Sequence, residues 1–434
     1  MNLNRSEKEA SRLSRIFTVS VLLMPAIIMY ATPIPTVSVG ELWIILLIGV
    51  MIPDMISKHR RLRCNCFCWY LLYAFFSTLV ISIVFLCTAF YDPLDMGERV
   101  LRDTFYFSVV FIFGAEYFNY KYALKIIKRI AIILSIYMVV QYITYSLLGV
   151  QLPNVIPFLK TNISGGYLGE ELLERIGRSA SYDGYLRVSG FFSEPAVCAH
   201  FLSVALLLEL FPAVGKIKDF TTSFLYTIAL VLTFSVNAYV AIVVCWGIWV
   251  LFNAKNHKKS GLITTILVFS IMIAGIVMIA SNDITKRVFE RLFLLGDTSI
   301  TEGSSVVRVL RGMSFYFEMP TFFQIFGSGF GNFIQFKDIY GITTIYETAD
   351  EYMNTNAYIL VSSGIIGFIL FVGSLYTIAK KRITISKMIL LIVIMFGFSS
   401  SIYSSAQFVI MLSFILYAPK KEEILNEIKN YHIT

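Results

Sequence analysis

The sequence predicts an all-α polytopic integral membrane protein with about twelve transmembrane helices and both termini in the cytoplasm. Three observations lead to this fold class. Of the 434 residues, 57% are hydrophobic and only 15% are charged, and the mean hydropathy is +0.73, which is far too apolar for a soluble protein. The apolar residues fall into runs of about 20, the length that crosses a bilayer. Lysines and arginines cluster in short segments between these runs, as topology signals do.

Eight apolar runs are each long enough to cross about 30 Å of hydrocarbon once. In chain order they cover residues 16–32, 38–54, 68–90, 104–119, 130–149, 196–214, 261–280 and 355–379. Each of these runs predicts one transmembrane helix.

Two further runs, residues 221–253 and 388–418, are too long for one crossing. Small polar residues interrupt them, in TFSVNAY and in GFSSSIYSSAQ. Lysines flank both ends of each run, so the positive-inside bias places both ends in the cytoplasm and each run crosses twice. The total is twelve spans in a single transmembrane domain, residues 1–434.

Two outer loops, residues 150–195 and 281–354, are much longer than a hairpin needs. We expect the function to reside there, because binding and catalytic residues concentrate on loops. The cytoplasmic loops are too short for a nucleotide-binding domain and hold no Walker-type glycine-rich motif. The net charge of +8 is explained by the loop clusters, so we expect no nucleic-acid partner.

The second outer loop concentrates arginines at helical spacing. Arg287 and Arg291 are four residues apart and Arg308 and Arg311 are three apart, so each pair projects from one face of an amphipathic helix at the membrane surface. Guanidinium groups bind phosphate oxygens in a bidentate way, which makes these pairs candidates for a diphosphate clamp. The alternative is that they bind lipid head groups or pair with neighbouring glutamates.

The stretch RVSGFFSEPAVCAHF begins the sixth span with Arg187, Gly190 and Glu194. Pro195 fits the first turn of a helix, and the preceding serine or glutamate can cap its free amides. The turn and the helix start bring Arg187 and Glu194 to the outer membrane boundary, where a lipid-linked diphosphate would sit. Simple capping is an equally good explanation of Glu194.

Three stretches occur in an order and spacing that resemble the bacterial O-antigen polymerase and ligase superfamily. They are RVSGFFSEPAVCAHF, FQIFGSGFGNF and TNAYILVSSGIIGF, and the interruption LTFSVNAYVAIVV is also similar. The resemblance implies a metal-independent, cofactor-free glycosyltransferase with a GT-C-like architecture in the bacterial inner (cytoplasmic) membrane. Its donor would be an undecaprenyl diphosphate-linked oligosaccharide bound on the periplasmic side, where both large loops would lie.

Two departures from the superfamily pattern favour a Wzy-type polymerase over a ligase. Ligases usually have a histidine before the asparagine of the tenth span, where this chain has Thr355 before Asn356. Many relatives have an arginine where this chain has Val236. A polymerase would join repeat units into O-antigen or a related surface polysaccharide during lipopolysaccharide biosynthesis. Membrane lipid and a polysaccharide chain-length regulator are further candidate partners.

Candidate site residues follow from the charge pattern and from this chemistry. Arginines would stabilise the diphosphate leaving group, a carboxylate would activate the acceptor hydroxyl, and tyrosines and asparagines would contact sugars. The residues assigned to catalysis are Arg187, Glu194, Arg287, Arg291 and Asp350. Those assigned to substrate binding are Arg308, Arg311, Tyr340, Tyr346, Asn354 and Asn356. No residues are assigned to a metal.

Two other classes of function remain open. A flippase or transporter of lipid-linked oligosaccharide also needs about twelve spans and cations for the diphosphate, but it should carry ionisable residues along a central path. A structural scaffold would not require the arginine pairs. The long outer loops favour an enzyme that acts on one face of the membrane.

Overall fold

The structure is a computed structural model that describes most of the chain. The described residues are 11–34, 36–58, 65–87, 93–162, 168–183, 185–212, 219–256, 305–342 and 353–423. Within these ranges every regular element is a helix, and β-pairing is limited to isolated bridges. The chain divides into two compact units, each assembled from two separate stretches of sequence.

Unit 1 comprises Met1–Lys58 and Tyr117–Phe293. Its described helices are α1 (Arg12–Ile27), α2 (Val39–Ser57), α6 (Tyr120–Leu148), α7 (Gly169–Asp183), α8 (Pro195–Leu210), α9 (Phe220–Leu232) and α10 (Val236–Asn256). Helices α8, α9 and α10 pack on one another, α6 packs on α8 and α9, and α1 packs on α2 and α6. The core of this unit lies around α8, most of whose residues are buried on all sides.

Unit 2 comprises His59–Glu116 and Leu294–Thr434. Its described helices are α3 (Phe67–Leu86), α4 (Pro93–Ser108), α5 (Gly114–Tyr117, whose last residue belongs to unit 1), α11 (Ser305–Glu318), α12 (Thr321–Phe326), α13 (Phe333–Tyr340), α14 (Thr355–Lys380), α15 (Thr384–Ser399) and α16 (Ala406–Tyr417). A π-helical segment, Val109–Phe113, joins α4 to α5. Helix α14 is central, because it packs on α3, α11, α12, α15 and α16.

Helix α14 is broken at Gly364, where the backbone adopts φ +65°. A break leaves backbone carbonyls without their helical donors, and such groups must be satisfied inside a membrane protein. The glycine-rich turn before α13 supplies the donors: the Ser328 amide bonds to the Val361 carbonyl at 2.9 Å, and the Gly329 amide to that of Ser362 at 2.8 Å. The turn and the broken helix therefore form one structural element.

Three of the described helices, α2, α3 and α14, are long and apolar enough to cross a membrane. Five shorter apolar helices accompany them: α8, α9, most of α10, α15 and α16. The length and apolar composition of these helices support the interpretation that the chain is a membrane protein. The predicted ninth span, residues 261–280, lies outside the described residues.

Several predicted helix boundaries are confirmed. Helix α8 begins at Pro195 and α14 begins at Thr355, and breaks separate α9 from α10 and α15 from α16 where the polar interruptions occur. The predicted start of the fifth span at residue 130 differs from the start of α6 at Tyr120. The helix is longer because the Asn119 side chain caps it, accepting a 2.8 Å bond from the Tyr122 amide, which adds a basic first section.

Candidate functional site

The start of α8 presents an uncommitted carboxylate. Glu194 occupies the N-cap position with an extended backbone, and Pro195 takes the first helical position, as expected from its fixed φ. The Glu194 side chain makes no capping bond and is exposed. The Glu194 side chain therefore does not cap the helix, which was the alternative explanation of this residue. Its carboxylate is accessible at the N-terminus of α8.

The segment before α8 is held in one conformation by α6. The Gln141 side chain bonds twice to Gly190, donating to its carbonyl at 3.1 Å and accepting from its amide at 3.0 Å. Gly190 has φ +63°, and a β-carbon there would overlap the side chain of Leu134. Glycine is the residue that fits this turn. The turn is thus built into the packing of α6 and is not a loose connection.

A second set of bonds fixes the same segment. The Asn154 amide group donates to the Ser189 hydroxyl at 3.1 Å and to the Phe192 carbonyl at 3.3 Å. The Ser189 hydroxyl in turn donates to that carbonyl at 2.9 Å. Buried hydrogen bonds of this kind hold neighbouring side chains in fixed positions, which is the condition for an electrostatically preorganised site.

Arg187 lies in this fixed segment among aromatic side chains. It is partly buried and lies near Tyr239. The ring of Tyr185 packs on Phe234 with centroids 4.9 Å apart. Phe234 adopts φ +46° in the break between α9 and α10. The polar interruption that predicted this break therefore also shapes the surroundings of Arg187.

Tyr185 was missed by the sequence analysis. Its hydroxyl is buried and has no hydrogen-bond partner within the described ranges. Buried polar groups are nearly always bonded, so this hydroxyl is a natural partner for a ligand or a water held beside Arg187. The sequence signal for Tyr185 was its spacing from Arg187, because residues two apart in an extended segment point to the same side.

The arginines predicted in the second outer loop are only partly described. Arg308 and Arg311 lie on α11, as the amphipathic spacing predicts. Arg311 is 4% exposed, so its side chain does not lie on an open surface. Arg287 and Arg291 lie outside the described residues.

The remaining predicted residues differ in their surroundings. Tyr340 is 44% exposed and packs on the rings of Phe323 and Phe336 at 5.1 and 4.8 Å, an arrangement that leaves it open to a sugar. Asn354 is fully buried and caps α14 by accepting from the Ala357 amide. Asn356 is buried as well.

The Asn356 amide donates to the Ile394 carbonyl at 3.0 Å. Both asparagines therefore make structural contacts. Tyr346 and Asp350 fall outside the described residues.

A partly buried ion pair in unit 2 is a further feature that sequence analysis did not identify. Arg99 and Asp103 lie one turn apart on α4, with Nε and Oδ1 separated by 3.4 Å. The Arg99 guanidinium lies over the rings of Tyr358 and Tyr403, 4.6 and 5.8 Å from their centroids, within the range of cation–π attraction. The Ser404 hydroxyl donates to Asp103 Oδ1.

The four-residue spacing in ERVLRDTF was the signal for the pair. Its aromatic partners come from distant parts of the chain.

Among the described residues, no three His, Cys, Asp or Glu side chains group as metal ligands. No protein-family model matches the chain, and no curated protein is significantly similar to it in sequence.

Proposed function

We propose that this chain is an integral-membrane glycosyltransferase of the O-antigen polymerase class. It joins undecaprenyl diphosphate-linked oligosaccharide repeat units into O-antigen or a related surface polysaccharide. The proposal includes twelve spans in the bacterial inner membrane, both termini in the cytoplasm and both large loops in the periplasm. Its support in sequence is the resemblance of the three motif stretches, and its support in structure is the arrangement before α8.

The observation that carries the proposal is a partly buried arginine in a preformed segment that ends at an uncommitted carboxylate. The segment that carries Arg187 is held through the bonds of Gly190 and Ser189, and the Glu194 side chain makes no capping bond. Glycosyl transfer from a diphosphate needs a cation for the leaving group and a base for the acceptor. These two residues supply one of each within a single segment.

In the proposed reaction the bond between the anomeric carbon and the diphosphate oxygen breaks. The acceptor hydroxyl oxygen bonds to the anomeric carbon, and its proton passes to a base. Arg187 would stabilise the charge that develops on the departing diphosphate, because a fixed donor needs no reorganisation during the reaction. Glu194 would accept the proton, and Tyr185 would donate a hydrogen bond to a phosphate oxygen.

The test is to incubate the purified full-length protein in lipid nanodiscs with its lipid-linked repeat unit and to resolve the products by gel. We expect a ladder of lengthening chains. Arg187→Gln should reduce its rate by about 10²–10³, the usual cost of removing one preorganised donor. The matched control is Arg175→Gln, which removes an exposed arginine of the same outer loop and should leave the ladder unchanged. Absence of a ladder with a verified substrate would overturn the proposal.

A second candidate function is movement of the lipid-linked oligosaccharide across the membrane. The observation that favours it is the partly buried Arg99–Asp103 pair, because ionisable residues directly before the predicted fourth span, residues 104–119, would stand at the entrance of a translocation path. A fluorescent lipid-linked oligosaccharide in proteoliposomes distinguishes the two. Protection from an external quencher that develops over time, without any change in chain length, would indicate transport and not polymerisation.

A further inference from the structure

A cavity of about 350 Å³ lies within unit 2, beside α3, α4 and the π-helical segment. Its volume falls in the range of roughly 300–1,000 Å³ that small-molecule sites usually occupy. The wall is mostly apolar: Leu71, Ala74 and Phe75 come from α3, and Phe107 and Phe111 come from α4 and the π-helical segment. A site of this size and composition fits a hydrocarbon chain.

One wall of the cavity carries a carboxylate oxygen that has no hydrogen-bond partner among the described residues. Asp103 lines the cavity, and its Oδ1 receives both the Arg99 contact and the Ser404 hydrogen bond. No group in the described part of the chain bonds to Oδ2. A carboxylate oxygen is an acceptor only, so the ligand that completes this site carries a hydrogen-bond donor.

The charges around Asp103 restrict the ligand further. Arg99 already neutralises the carboxylate, and Arg102 adds its positive charge nearby. A cationic ligand would therefore meet two arginines, and an anionic ligand would meet the carboxylate. The ligand that fits both conditions carries an uncharged hydrogen-bond donor. A hydroxyl meets this condition with a single O–H and brings no amide carbonyl that would need its own donor.

The cavity borders a surface that faces lipid if α3 crosses the membrane. Helix α3 is long and apolar enough to do so, and Leu72, Phe75 and Phe76 on it are each more than half exposed. Phe75 belongs both to this surface and to the cavity wall. A ligand can thus reach the cavity from the hydrocarbon of the bilayer.

We propose that this cavity binds an uncharged long-chain alcohol drawn from the membrane. The hydrocarbon chain packs against the α3 and α4 wall, and the hydroxyl donates to Asp103 Oδ2. This binding is independent of glycosyl transfer, and its test measures occupancy alone, so either proposal can fail without the other.

The experiment uses the full-length protein in nanodiscs and a photoreactive hexadecanol that carries a diazirine in its chain. Labelled residues are identified by mass spectrometry. The comparison probes have the same chain and end in a methyl ether, a carboxylate or an ammonium group. We expect the alcohol to label α3 and α4 about tenfold more than the methyl ether, which cannot donate to the carboxylate.

Variants locate the binding site. Ala74→Trp and Val100→Phe fill the cavity from two different helices and should each reduce labelling about tenfold, and either one suffices if the other does not fold. Leu72→Trp, on the exposed face of the same helix, should label as the wild type does. In Asp103→Asn the Oδ2 acceptor becomes a donor, so the preference for the alcohol over the ether should disappear.

Three results would overturn the proposal. One is equal labelling of the wild type by the alcohol and the ether, and another is unchanged labelling in both folded cavity-filling variants. The third is stronger labelling by a charged probe than by the alcohol.

Discussion

Thr355 shows how one hydroxyl can organise a helix break. Its Oγ1 accepts hydrogen bonds from the amides of Ile402 and Tyr403, at 2.7 and 3.1 Å, and donates to the Ser400 carbonyl at 3.0 Å. These are the backbone groups that the break between α15 and α16 leaves without helical partners. The contacts of Thr355 are structural. The hydroxyl fixes the position of Tyr403, which lines the unit 2 cavity.

We predict that Thr355→Val destabilises the protein by about 1–3 kcal/mol, because it leaves buried amides unsatisfied without changing side-chain volume. Thr355→Ser keeps the hydroxyl and should retain most of the stability. Thermal unfolding in detergent, monitored by tryptophan fluorescence, provides the comparison. Equal midpoints for the valine variant and the wild type would contradict this account of the break.

At Arg187 the geometry of the cation should matter as well as its charge. Lysine keeps the charge but cannot form two parallel bonds to phosphate. We expect Arg187→Lys to lower the polymerisation rate by about 10-fold or more at saturating substrate, with the fold intact by circular dichroism. Arg175→Lys serves as the control. A lysine variant with wild-type activity would show that Arg187 supplies charge alone.

At the scale of elements, the broken helix α14 depends on its glycine. Gly364 has φ +65°, and a β-carbon there would overlap the backbone of Ile325. Gly373 on the same helix has open space around it. We predict that Gly364→Ala costs at least 1–2 kcal/mol, whereas Gly373→Ala is neutral or stabilises by up to about 1 kcal/mol.

Melting midpoints of the two alanine variants, measured side by side, check this prediction. Similar midpoints would mean that the break relaxes into a regular helix. Loss of the break would also free the Ser328 and Gly329 amides, so hydrogen exchange at these two amides gives a second readout.

Long, apolar elements and polar breaks could be predicted from the sequence because hydropathy and turn chemistry are local properties. The start of α8 and the two interruptions followed from such signals. The aromatic cluster around Arg99 could not be predicted in this way. Asp103 and Ser404 are 301 residues apart, and no local pattern indicates which distant residues a helix will contact.

A charge cluster joins the first turn of α9 to α6 in unit 1. The Asp219 carboxylate caps α9 by accepting from the Thr222 hydroxyl at 2.6 Å and the Thr222 amide at 3.1 Å. Lys128 bonds to Asp219 at 3.1 Å and to Glu209 at 3.2 Å. The Thr222 bonds, followed by Lys128, lower the pKa of Asp219 to about 2. Burial alone would lower the pKa of Lys128, but its bonds to the two carboxylates raise it.

This cluster predicts a loss of stability in acid. An unfolded aspartate has a pKa of about 3.9, so between about pH 4 and pH 2 the unfolded chain binds a proton that folded Asp219 does not. The stabilisation is complete above this window and falls as the pH drops through it. Asp219→Asn still caps the helix and should show a smaller fall in melting midpoint over the same range. The melting midpoints of both proteins are measured across this pH range. If the two midpoints fall equally as the pH drops, Asp219 is not the source of the acid sensitivity.

For the whole molecule, the charge distribution predicts a topology of twelve spans. Reporter fusions that end at Lys218 and Lys381 should be cytoplasmic, and a fusion that ends at Lys160 should be periplasmic. Green fluorescent protein reports the first location and alkaline phosphatase the second. A fluorescent fusion at Lys160 would refute the assignment of residues 150–195 to the outer face.

The division of unit 2 into two stretches of sequence has a consequence for biogenesis. Translation produces α4 long before it produces Tyr358, Tyr403 and Ser404, so the helix is made before the partners that surround it in the folded protein. Arg99 and Asp103 lie four residues apart and neutralise each other within the helix itself. Placing both charges on one helix compensates each of them within α4 before its aromatic partners have been synthesised.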